Sequence, residues 1–271
     1  MNSKLIILWC ILTVIFTLLA RVVPSDGLLA FDWNWCFSDE APVYYPPWTS
    51  FITSLLSYHS LIGMTMATFS IAVLVRAKSL PSGIIAFMNL PLLWTLFLGQ
   101  IDGIVLLGII GLPVLLPLVL TKPHIAAFAV LARKRTIRAA LLFVVATLVI
   151  WKFWPVNMLT YRSDPTTVGP QDMALGWMGV PLFVYLLKTM PRGDVDWWML
   201  AGTTVTPFLI PYNLLPLMPA ISRLPLGWAI LAAIGSWLPL LSNWIGPVGW
   251  KLGWIGVGAM FFGLRARREL C

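Results

Sequence analysis

Nine stretches of this chain carry no Asp, Glu, Lys or Arg: residues 5–20, 41–75, 79–101, 103–121, 139–151, 173–187, 197–222, 224–250 and 252–264. A helix needs about 17–25 predominantly apolar residues to cross a bilayer, and several of these stretches reach that length. The others are too short or too rich in proline for a full crossing. Irregular backbone is tolerated at membrane depth where protein or a water-filled cavity covers it. The expected fold is therefore an all-α polytopic integral membrane protein, with about eight to ten membrane segments including kinked or half-length helices. Composition agrees: 59% of residues are hydrophobic and 10% charged, whereas soluble domains carry roughly 25% charged residues. No alternating strand pattern supports a closed β-barrel. No hydrophilic stretch is long enough for a separate soluble domain, so residues 1–271 read as a single membrane domain.

The 18 Lys and Arg residues against 10 Asp and Glu mark topology rather than a nucleic-acid ligand. Lys4, Arg76, Lys78, the run Arg133, Lys134, Arg135 and Arg138, then Lys188, Arg192, Arg265, Arg267 and Arg268 fall in short segments that can share the cytoplasmic face. Both termini are then cytoplasmic, and the protein is expected in a membrane such as the bacterial plasma membrane. Asp26, Asp32, Asp39, Glu40, Asp102, Asp164 and Asp172 fall opposite. Cys10, Cys36 and Cys271 define no disulfide framework. Lys4 ahead of an apolar run, with no small-x-small cleavage site before Arg21, reads as a retained signal anchor.

Two outer loops can house chemistry. Residues 21–50 combine four carboxylates with Trp33, Trp35, Tyr44, Tyr45 and Trp48, and aromatic rings favour the headgroup level. Residues 152–173 hold Lys152, Tyr161, Arg162 and Asp164 and are long enough to cover the first loop as a lid. His59 and His124 are the only histidines and there is no Cys-x-x-Cys, so neither a metal site nor a cofactor is implied. His59 reads as a hydrogen-bonded helix residue or interface anchor. The tryptophans need no pigment or quinone to explain them.

Ionisable groups inside a membrane segment are functional candidates by default, which singles out residues 99–138. There Gln100 and Asp102 precede an apolar run with no polar turn, then Lys122-Pro123, then the basic cluster. Gln100 and Asp102 either end a helix at the outer interface or, between Gly99 and Gly103, open a re-entrant entry to a cavity. Lys122 either snorkels to the headgroups or meets substrate. The small-residue spacing of Gly249, Gly253, Gly256 and Gly258 lets the last helix approach a neighbour or a partner membrane chain closely.

An outward carboxylate loop over a helical bundle suits a substrate that is partly lipid. Transfer of a sugar from a lipid phosphate to a hydroxyl needs one carboxylate as general base and cations for the departing phosphate. Asp26 and Asp32 are the candidate catalytic bases, and Arg21, Lys152 and Arg162 the candidate phosphate partners. The order of a first membrane helix, an Asp-bearing outer loop, Tyr45-Pro46-Pro47-Trp48, Gly99-Gln100, Lys122-Pro123 and a basic run resembles the GT-C superfamily of polytopic glycosyltransferases. The nearest likeness is to bacterial mannosyltransferases that use polyprenyl-phosphate-linked sugars. The element Thr206-Pro207-Phe208-Leu209-Ile210-Pro211-Tyr212-Asn213-Leu214-Leu215-Pro216 is similar to a later one in that group. The resemblance covers residues 26–138 and 204–219. It implies sugar transfer at the outer face with inversion at the anomeric carbon, and a lipid-linked sugar donor as partner. It also implies prolines that shape broken helices along a lipid groove, Asp26 or Asp32 as base, and Tyr45, Gln100, Asp102 and Lys122 at the substrate site. Two other readings stand beside it. One is a non-catalytic accessory or structural subunit of a larger membrane complex that keeps this scaffold. The other is a transporter with Asp102 as an ion or proton site, for which no inverted repeat is visible.

Overall fold

The computed structural model describes residues 2–26, 29–36, 45–156 and 172–269, and every regular element among them is helical. Helix α1 (Ser3–Ala20) starts where the Asn2 side chain accepts from the Leu5 amide at 3.0 Å, which satisfies one of the donors a helix start leaves orphaned. After α2 (Phe31–Cys36) and α3 (Trp48–Thr53), α4 (Tyr58–Arg76) opens on a Ser57/Ser60 capping box. Serine and asparagine caps followed by proline in the first turn also start α5 (Leu80–Ile85) at Ser79 and α6 (Leu90–Leu98) at Asn89. Four helical stretches are long and apolar enough to cross a membrane: Ser3–Ala20, Tyr58–Arg76, Leu80–Leu98 and Leu226–Ile245. The chain is thus an all-helical, membrane-associated protein. The remaining helices are shorter or, like Lys134–Trp151, charged at one end.

Helices α1 and α4 pack antiparallel. Gly63 lies against Thr13 and Thr17, and the Trp9 indole donates to the Thr68 hydroxyl at 2.9 Å. The start of α1 therefore shares one end of the molecule with Arg76, while Ala20 meets Tyr58 at the other. Over 19 residues, α4 separates those ends by about 28 Å at 1.5 Å per residue.

Residues 102–122 form a hairpin within the bundle. Helix α7 (Asp102–Ile110) runs alongside α4, with Gly103 against Thr65. The chain turns through Gly111 and a cis Leu112-Pro113 bond, and α8 (Leu116–Val119) returns so that Val119 lies against Gly108. The turn carries no polar residue because it closes on itself: the Gly111 amide donates to the Leu107 carbonyl and the Gly111 carbonyl accepts from the Leu115 amide, so water is not needed to satisfy them. Helix α9 (Ala126–Leu131) then descends to Arg133, and α10 (Lys134–Trp151) climbs back to the aromatic cluster of Trp48, Trp151 and Trp154.

Beyond residue 172, α11 (Gly179–Thr189) and α12 (Val195–Val205) precede a 3₁₀ segment, Pro211–Arg223, that contains Pro216 and Pro219. Proline removes a backbone donor and breaks an α-helix, yet this segment is buried from Asn213 to Ser222. It sits at the centre, against α4 to α7 and α12, where protein shields its irregular backbone from lipid. Its Leu215 and Leu217 share one core with Phe69, Leu106, Met199 and Leu200. Helices α13 (Leu226–Trp237) and α14 (Trp254–Glu269) complete the bundle through a contact of Gly235 on Gly256. Gly253 faces Met173 and Gly249 the Ser242 backbone, while Gly258 faces open space, so three of the four spaced glycines serve packing within the chain. Exposed Ile7, Ile11, Val14, Leu142, Val145 and Val149 on α1 and α10 form the kind of apolar surface that lipid covers.

Candidate functional site

Gly99 ends α6 in the left-handed region, φ +73°. A side chain there would carry its Cβ to 2.6 Å from the Trp33 Cβ and 3.1 Å from the Tyr58 ring, so only glycine lets α2 lie across the end of α6. The first outer loop is pinned to that end by backbone and ring. The Ala30 amide donates to the Phe97 carbonyl at 2.7 Å, and the Tyr58 hydroxyl donates to the Leu96 carbonyl at 3.0 Å. Asp32 thereby comes to rest over Gln100.

From Asp32 a continuous polar chain runs inward. The Gln100 amide donates to Asp32 Oδ2, and its own carbonyl accepts from Lys122 Nζ at 2.8 Å. Lys122 Nζ also donates to Asp102 Oδ2 at 2.6 Å and stands 4.5 Å from the centroid of the Tyr212 ring. Asn213 hydrogen-bonds Asp102 with its side chain, while its carbonyl accepts from the Ile210 amide at 3.0 Å. Gln100, Asp102 and Lys122 are each no more than 5% exposed. Taking two charges out of water costs several kcal/mol per ion, recovered only where geometry and further hydrogen bonds are good. The amide of Gln100, the Tyr212 face and Asn213 supply those further contacts.

Asp32 is half-buried. Burial raises its proton affinity above that of an ordinary carboxyl, opposed by the Gln100 hydrogen bond and the Lys122 charge. Its second oxygen has no hydrogen-bond partner among the described residues. Asp26 is exposed and outside this chain of contacts. Tyr45 is half-buried and packs with Leu61, Ile101 and Ile104, beside the network. Arg21 is exposed at the end of α1, and Lys152, at φ +50°, is exposed at the end of α10. Arg162 lies outside the described residues, as do Asp39, Glu40, Tyr161 and Asp164. Lys122 does not snorkel: the carboxylate and the amide that meet it lie inward, so the buried position is the better solvated one for its charge. His59 is a hydrogen-bonded helix residue, its Nε2 donating to the Val23 carbonyl at 3.0 Å.

Five participants escape sequence reasoning: Tyr212, Asn213, Arg223, Asp194 and Asp196. Tyr212 and Asn213 stand inside the Thr206 to Pro216 element, but nothing local says that they face Lys122. At the opposite end of α4, Arg223 clamps Asp194 at 2.7 Å and Asp196 at 2.5 Å, and Arg76 stands 3.3 Å from Asp196. Burial would raise the Asp194 carboxyl, but the Arg223 hydrogen bonds and charge outweigh it and hold the group below the usual carboxylate range. An arginine that interrupts two long uncharged stretches was the available signal.

No known family model, curated protein or solved structure matches this chain.

Proposed function

We propose that this protein is a membrane glycosyltransferase that moves a sugar, of the hexosyl or mannosyl class, from a polyprenyl-phosphate donor at the outer membrane face, with Asp32 as general base. The observation that carries the reading is the pinned carboxylate. One oxygen of Asp32 is held by Gln100, which Lys122 and Asp102 hold in turn, and the other oxygen is free to accept a proton. A base positioned in this way, with its proton affinity raised by burial, is a stronger proton acceptor than an ordinary carboxylate. The acceptor hydroxyl would give its proton to Asp32 as its oxygen bonds to the anomeric carbon. The bond from that carbon to the phosphate oxygen breaks, and its electron pair leaves with polyprenyl phosphate. Arg21 and Lys152 at the outer rim, with Arg162 of the second outer loop, are the cations available to that leaving group. Lys122 and Asp102 are positioning residues beneath the base. The cations gathered at the Arg76 end support an orientation with both termini in the cytoplasm.

Purified protein in lipid vesicles, given a polyprenyl-phosphate hexose and a panel of hydroxyl acceptors, should release polyprenyl phosphate. Asp32→Asn should lower turnover by about 10²- to 10⁴-fold, the usual contribution of a general base, whereas Asp26→Asn should leave it unchanged. The reverse pattern would assign the base to Asp26. Full activity in both variants would remove this mechanism. A second reading, a non-catalytic subunit built on the same scaffold, draws support from Lys122, whose contacts are met within the chain. Consistent absence of turnover together with co-purification of partner membrane chains would favour it.

A further inference from the structure

At the cytoplasmic end of the bundle, far from Asp32, the C-terminal turn of α4, the hairpin tip and the starts of α10 and α12 surround a cavity of about 670 Å³. Five cations line it, Arg76, Lys78, Arg133, Arg223 and Arg267, against two carboxylates, Asp194 and Asp196. Those carboxylates are already committed to Arg223 and Arg76, and Arg267 donates to the Arg223 carbonyl at 3.1 Å. Lys78 and Arg133 have no acidic partner among the described residues. The cavity therefore carries net positive charge that the chain does not neutralise. Its other wall is apolar, formed by Ala72, Ile109, Leu112 and Ala129. Positive-inside charges that serve orientation alone need only lie near the membrane surface. Here they converge on one concavity, with the ion-pair clamp fixing its floor.

We propose that this cavity binds a phosphate-bearing anion, with Lys78 and Arg133 as its principal contacts and the Ala72 to Ala129 wall beside any attached hydrocarbon. Point-charge Lys and forked Arg together are the usual partners of phosphate oxygens. The same headgroup chemistry is presented by an anionic phospholipid and by free phosphate, and the volume admits either.

The full chain, purified in an uncharged detergent, would be titrated with a short-chain phosphatidic acid, with the matching diacylglycerol and with inorganic phosphate. Native mass spectrometry would count bound molecules. One phosphatidic acid per chain, bound more tightly than phosphate, would support a lipid site; equal binding of inorganic phosphate would support the same site with a soluble ligand. Replacing both Lys78→Ala and Arg133→Ala should weaken the observed binding by about tenfold or more, the equivalent of about 1.4 kcal/mol. Both side chains are exposed, so the variant should keep its melting temperature. The control pair Lys134→Ala and Arg135→Ala removes the same charge from the same face outside the cavity and should change binding little. Equal weakening by the control pair, equal retention of diacylglycerol, or no saturable binding of either phosphate compound would each overturn the proposal.

Discussion

Two carboxylates in this protein should respond to amidation with opposite signs. Asp32 has its proton affinity raised by burial, so its charged form is less well accommodated in the fold than in the unfolded chain. Its contribution to stability is present below the unfolded value near 3.9 and is lost as pH rises through the folded value. Asp32→Asn should therefore raise the melting temperature at neutral pH while it lowers turnover, a separation of stability from activity that thermal-shift and transfer assays read together. In wild type, kcat/KM should fall on the acid side at a pH above the ordinary carboxylate range, because protonated Asp32 cannot take the acceptor proton. Asp194 is held low by Arg223, so its stabilisation is present above about pH 3.9 and is lost as pH falls through the folded value. Asp194→Asn should lower the melting temperature at neutral pH, and an increase there would contradict the clamp. For the buried pair, Lys122→Met alone should cost about 3–5 kcal/mol by stranding Asp102, and the added change Asp102→Leu should recover much of that loss. A double variant no more stable than Lys122→Met would show that the two residues are not coupled.

At the scale of elements, uncharged length marked helices long enough to cross a membrane. Residues 5–20 and 41–75 contain α1 and α4 almost whole, because crossing length and apolar character are properties of a contiguous stretch. The hairpin of α7 and α8 was only half legible. Gly99, Gln100 and Asp102 hinted at re-entry, but a turn made of Gly111, Leu112 and Pro113 carries no polar signal, since its backbone groups are satisfied internally and protein covers it. The 3₁₀ segment was hidden for a related reason: its prolines predict a break, not that the break would be the centre of the core. Helix contacts carry their own test. A Cβ at Gly63 would fall 2.6 Å from the Thr17 backbone nitrogen and 2.8 Å from the Thr13 carbonyl, so Gly63→Ala must push α1 outward and should cost about 1–3 kcal/mol. Gly258, with open space around it, should accept alanine with no loss in a detergent melting assay. Equal tolerance at both positions would mean that α1 is not seated on α4 as described.

Across the whole molecule, two polar systems occupy opposite ends of one helical bundle. The outer one ties Asp32 to Asp102 through Gln100 and Lys122; the other gathers Arg76, Lys78, Arg133, Arg223 and Arg267 around a cavity. With Cys10, Cys36 and Cys271 replaced by serine, Asp26→Cys should react with an impermeant maleimide in intact cells, and Lys78→Cys only after permeabilisation. Labelling of both from one side would break the two-faced arrangement. Hydropathy and charge bias add up residue by residue along the chain, so the amino-acid order alone reveals a membrane-associated protein with its cations gathered in a few short segments. Which charges meet is a matter of packing. Asp32 and Gln100 are 68 residues apart, Lys122 and Asp102 20 apart, and Arg223 and Asp196 27 apart. A buried charge is tolerable only beside its partner, and that partner is chosen by how the helices pack, which no local pattern records.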